Sequence, residues 1–181
     1  MRRIEQTQHY GTRLHKLLAL LLGLTLIQCA VSFAADSTPQ VSLETGKATP
    51  RSVESLTQRS IVRDYKLAWA SLAQAFESNS TGPLNGLFEG AANEWLRDAV
   101  SSQQKTGLTS RYSNQNHRLD AVFYAQEGDV IELHDTAEYD LEISDGSKSI
   151  HNEHAQVRYI VLMTPGADRW VIRQMQAVPQ F

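Results

Sequence analysis

The chain has 181 residues, 41% apolar and 20% charged, an ordinary globular mix that suggests one folded domain plus an appendage. Of its 17 Lys+Arg and 20 Asp+Glu, residues 1–34 hold four (Arg2, Arg3, Arg13, Lys16) and one (Glu5), leaving 13 and 19 for the remainder. An acidic domain lacks the clustered cations that neutralise phosphates, which argues against a nucleic-acid partner, and the lone Cys29 leaves the folded part without an internal disulfide or thiol nucleophile.

Residues 1–35 read as a signal peptide or N-terminal membrane anchor. A basic leader runs to Lys16, a compact apolar run covers Leu17 to Ile27, and Ser32 and Ala34 put small side chains where cleavage after Ala34 would need them. Retention as an anchor is a second reading, since the apolar stretch continues to Ala34. Lipidation at Cys29 is a third, although bulky Gln28 stands where a lipobox has a small residue. All three put the remaining domain outside the cytoplasm, periplasmic or membrane-anchored, with the N-terminal segment as its only membrane contact.

Residues 36–50 are rich in Ser, Thr, Pro and Gly without periodicity, which predicts a flexible linker before a single domain at 51–181. Ile61, Val62, Tyr65, Trp69, Leu72 and Phe76 then recur at helical spacing from a start near Ser55. A second helical region follows Pro83, with Leu84, Leu87, Phe88, Ala91, Trp95, Leu96 and Ala99 on one face. Gly86 and Gly90 interrupt it, and Gly107 is placed to cap it.

From Leu119 the period changes to two. Leu119, Ala121, Phe123 and Ala125 alternate with mostly polar residues, as do Ile131 to Ile143, Ala155 to Met163, and a last strand from Trp170 to Val178. Ser144–Ser147 is a hairpin signal. Helices followed by a strand meander give an α+β class: N-terminal helices packed in a curved, mostly antiparallel sheet of four or more strands, cone-like in shape.

Asp135 falls on the apolar phase of its strand, between Leu133 and Ala137. A β-bulge that turns it outward, or a position near the strand end where solvent returns, is the expected arrangement, against the sharper reading of a buried acid in a pocket. Of the nearby histidines, His134 and His154 fall on the opposite phase, so neither is expected to partner it and Asp135 is not assigned as catalytic. His151, Glu153 and His154, with His117 or His134 as outside additions, give too few same-face groups for a metal, and no cofactor is expected. Eight acids and no Lys or Arg lie between Glu127 and Asp145. A solvated face accounts for this run, and the sharper reading makes Glu132, Glu138, Asp140 and Glu142 candidates for a docking surface toward a basic partner. Tyr65, Trp69, Trp95, Phe123, Asp135, Tyr139, Tyr159 and Trp170 are the candidates to line a ligand pocket within the cone, if they are not simply its core.

The element order over residues 52–178 resembles the nuclear-transport-factor-2-like superfamily, a cone of curved antiparallel sheet around N-terminal helices. So does the ending, in which Tyr159–Met163 (YIVLM), a turn and Arg169–Arg173 (RWVIR) form a strand pair whose last member carries an early Trp. Within that superfamily the chain is most similar to the intermembrane-space domains of chloroplast-division proteins and to Tim44-like domains. That resemblance implies a noncatalytic module that binds a partner protein or a small apolar ligand. A small-molecule isomerase or dehydratase using a pocket Asp and His is the alternative, and pairing of two copies through the sheet is a third reading.

Overall fold

A computed structural model describes residues 38–181. The expectations placed on the signal or anchor segment fall outside these residues. Among the described residues no helix is long and apolar enough to cross a membrane.

The fold is α+β: two helices pack on a curved, mixed six-stranded sheet that does not close. In chain order the elements are β1 (Gln40–Glu44), β2 (Thr49–Pro50), α1 (Ser55–Ser78), a 3-10 turn (Gly82–Leu84), α2 (Gly90–Thr106), β3 (Leu108–Tyr124), β4 (Ile131–Asp145), β5 (Lys148–Pro165) and β6 (Trp170–Val178). The sheet order is β1-β3-β4-β5-β6, with β2 also on β3. The β3–β4–β5–β6 meander is antiparallel, whereas β1 and β2 add to β3 in parallel.

The linker expectation fails over β1 and β2. Gln40–Glu44 pairs with Asn116–Asp120 and turns Val41 and Leu43 toward the core. Composition misses this strand because only two of its five residues are apolar, and its partner lies 76 positions away in sequence (Gln40 opposite Asn116).

Helix α1 buries Ile61, Tyr65, Ala68, Trp69, Leu72 and Ala75 at three- and four-residue spacing. It ends on Asn79, which takes the left-handed conformation (φ 50°) that Asn tolerates better than most residues, and whose side chain donates to the Leu108 carbonyl. The second helical region breaks between Leu84 and Gly90, as its glycines suggested. The chain from Leu87 to Glu89 exchanges two 2.9 Å hydrogen bonds with Ile172 and so covers the start of edge strand β6.

Strand β3 begins eleven residues earlier than the apolar alternation indicates. Two register shifts set which of its side chains face inward. Between Ser113 and Asn116 the strand gains one residue relative to β4, with Asn114 at φ 51°. This moves the buried phase to Gln115, His117, Leu119 and Ala121. A second shift between Ala121 and Phe123 reverses the phase again, burying Tyr124 and exposing Phe123.

Candidate functional site

The interior of the cone holds a polar cluster built by three elements. From β4, Asp135 pairs in regular register with Leu119 of β3 and Tyr159 of β5, and it is fully buried. The bulge expected at Asp135 lies instead on β3, at Asn114, where it turns His117 inward. His117 sits opposite Ala137, two positions along β4 from Asp135, so the two side chains meet diagonally on one face. Their contact is 2.9 Å, from His117 Nδ1 to Asp135 Oδ2. Helix α1 adds Tyr65, whose hydroxyl donates to the same oxygen at 2.8 Å.

Aromatic rings enclose the cluster. Trp69 lies over the His117 ring with centroids 4.3 Å apart, and Tyr65 meets it edge-on at 5.6 Å. Trp69 in turn contacts Tyr139 and Tyr159, and the chain continues through Tyr112 to Phe76. Burial drives the Tyr65 phenol well above its ordinary pKa, and the charge of Asp135 adds to the effect. Burial raises Tyr112, Tyr139 and Tyr159 as well. Asp135 Oδ1, His117 Nε2 and the Gln115 amide make no hydrogen bond to any described group, so the cluster is incompletely satisfied.

Tyr65, Trp69, Asp135 and His117 are each no more than 1% exposed. Of the eight residues considered for a pocket, Tyr65, Trp69, Asp135, Tyr139, Tyr159 and Trp170 are buried. Trp95 and Phe123 are not part of the interior, being 53% and 40% exposed. Trp95 lies beside the buried stripe of α2 (Ala92, Leu96 and Val100), and Phe123 is turned out by the second bulge. A chemistry that needs substrate at Asp135 and His117 would have to open this packing.

Sequence reasoning named His117 only as an outlying metal candidate. Extending the Leu119–Ala121 alternation two residues toward the N-terminus would have put it on the buried face. Asp64 gave no such signal. It is 1% exposed, accepts the Trp170 backbone N–H at 2.8 Å, and is held by Arg63, which ties α1 to the start of β6.

On the outer face of the sheet the acidic row is crossed by groups from neighbouring strands. Arg118 reaches Glu138 at 3.5 Å and Arg111 reaches Glu142 at 4.0 Å. His154 and Asn114 both bind Asp140, at 2.8 and 2.6 Å, and hold its carboxyl below the usual range, with the Asn114 bond the larger cause. His134 contacts Glu132 at 3.2 Å and stacks on Phe181. The run without Lys or Arg in β4 is thus partly neutralised from β3 and β5. His151 and Glu153 pair with each other at 3.3 Å, and no described group of three or more His, Cys, Asp or Glu is arranged to hold a metal.

A different surface carries positive charge. Between β1 and α1 lies a groove of about 550 Å³ lined by Leu43, Gln58, Arg59, Val62, Arg63 and Lys66.

No family model matches the chain, and no curated protein does. Among solved structures, the fold is similar to that of the intermembrane space region of the chloroplast protein ARC6. The TM-score is 0.53 at 15% identity, and the match covers 71% of this chain and 98% of that one.

Proposed function

We propose that this domain is a noncatalytic module that binds a partner protein outside the cytoplasm, of the intermembrane-space kind within the nuclear-transport-factor-2-like superfamily. The observation that carries the reading is the burial of the cone interior. The residues that would bind a ligand or perform chemistry there are at most 1% exposed at its centre, and the aromatic side chains around them are in contact with one another. Binding then falls to the outer surface. The fold shared with the ARC6 region supports the reading, and the Asp135–His117 contact is the single observation that favours an enzyme.

Photo-crosslinking in the producing cell tests it. Benzoylphenylalanine is placed at Arg59 on α1 and, separately, at Thr136 on the outer sheet face. A discrete adduct with one protein is expected from at least one position. Recovery of a small organic molecule from the purified, denatured domain, with no protein adduct from either position, would overturn the reading in favour of a cone ligand.

A further inference from the structure

The groove beside α1 differs from the rest of the surface in its charge. Elsewhere among the described residues six cations have acidic partners (Lys47 with Asp120, Arg51 with Glu54, Arg111 with Glu77, Arg118 with Glu138, Arg169 with Asp168 and Arg173 with Glu89), whereas Arg97, Lys105, Lys148 and Arg158 form no ion pair but do not line this groove. Arg59 and Lys66 form no ion pair among the described residues, and Arg63 pairs with the buried Asp64, with the charge of Asp168 also nearby. Positions 59, 62, 63 and 66 share one helical face, where Val62 and the stems of the three cations extend the apolar floor begun by Leu43. From Ser55 to Phe76 the only acid is Asp64, which faces inward, so this face is basic on a domain with an acidic balance.

Leu43, at one side of the groove, belongs to an edge strand. β1 pairs with β3 on one side, and no described strand pairs with its other side. An unpaired edge presents backbone N–H and C=O groups that accept an additional strand.

The geometry points to a docking site for an extended acidic peptide segment of a partner protein. Its backbone pairs with the free edge of β1, its apolar side chains rest on Leu43 and Val62, and its carboxylates meet Arg59, Lys66 and Arg63. The inference rests on the partner-binding reading and names the partner's chemistry. On a strand added to β1, one set of alternate side chains faces the groove and the other faces solvent, so a segment whose groove-facing set carries both acidic and apolar residues suits the site.

The test uses the full chain in phosphatidylcholine nanodiscs and two fluorescent octapeptides, Glu-Ser-Leu-Ser-Glu-Ser-Leu-Ser and its counterpart with Lys in place of Glu, read by fluorescence anisotropy. The acidic peptide should bind, and raised salt should weaken it. The Arg59→Glu/Lys66→Glu variant should lose about tenfold in affinity, and N-methylation of alternate peptide amides should weaken binding by a similar factor. Equal binding of the basic peptide, or indifference to the double variant or to N-methylation, would overturn the inference. So would absence of peptide binding. If the chain then self-associated in a manner sensitive to the double variant, the occupant would be a second copy; if it bound phosphatidylglycerol vesicles instead, the occupant would be a membrane. Any of these failures leaves the partner reading intact where crosslinking from Thr136 still yields a protein adduct.

Discussion

His117 Nδ1 lies 2.9 Å from Asp135 Oδ2, with both side chains fully buried and on neighbouring strands. The Tyr65 hydroxyl shares that oxygen, so one carboxylate joins helix α1 to two strands of the sheet. Such a cluster has a large cost if broken and a small one if replaced as a whole, because each remaining member becomes an unpaired buried polar group.

The first prediction follows from that asymmetry. Asp135→Leu alone should lower stability by about 3–5 kcal/mol. The triple variant Tyr65→Phe/His117→Leu/Asp135→Leu should fall within about 1 kcal/mol of the parent or exceed it, because no member is left unpaired. Urea denaturation of the two variants measures both. Additive losses in the triple variant would show that packing, and not pairing, dominates at this site.

Aromatic burial gives the second. Trp69→Ala and Trp170→Ala should each cost roughly 3–5 kcal/mol, as large truncations of buried side chains do. Trp95→Ala, at a side chain 53% exposed, should stay within about 0.5 kcal/mol of the parent. Equal losses at Trp95 and Trp69 would contradict the burial described for the two faces.

The third concerns the bulge that places His117. Asn114 holds φ 51°, a conformation that costs an ordinary L-residue about 1–2 kcal/mol and glycine nothing. Asn114→Val should therefore destabilise by at least that amount, and Asn114→Gly should be much closer to the parent despite losing the bond to Asp140. The same denaturation curves decide, and the reverse order would remove the bulge from the account.

Alkaline pH supplies the fourth. Burial raises Tyr65, Tyr112, Tyr139 and Tyr159 above the ordinary phenol value of 10.0. A raised folded-state pKa means that the native state keeps its proton longer than the unfolded chain does. Stability is then fully present below pH 10 and falls as the pH rises above it. Absorbance at alkaline pH should show these four phenols ionising together with unfolding, not as independent groups near 10.

The helices, the meander and the α+β class were legible in the sequence because their apolar periods are long and regular, as in Ile61 to Leu72 and Ile131 to Tyr139. Other features depend on register or on distant pairing. The strand from Gln40 to Glu44 is defined by Asn116–Asp120, far along the chain, and carries little apolar signal of its own. The two bulges in β3 shift phase without a marker as strong as glycine, so Phe123 was read as inward and His117 was not connected with Asp135. The anomaly at Asp135 was legible, but its explanation was not, since the partner lies on another strand. The cations that cross the acidic row were not legible for the same reason: Arg111 and Arg118 reach it from β3.

The centre of the cone is packed, with Tyr65, Trp69, His117 and Asp135 at most 1% exposed. Diethylpyrocarbonate modification of the native protein, read site by site by mass spectrometry, tests this directly. His151 and His154, whose side chains are 50% and 68% exposed, should react readily. His117 should remain unmodified until the domain is unfolded. Modification of His117 in the native state at a rate comparable to theirs would show an accessible site around Asp135 and contradict the account.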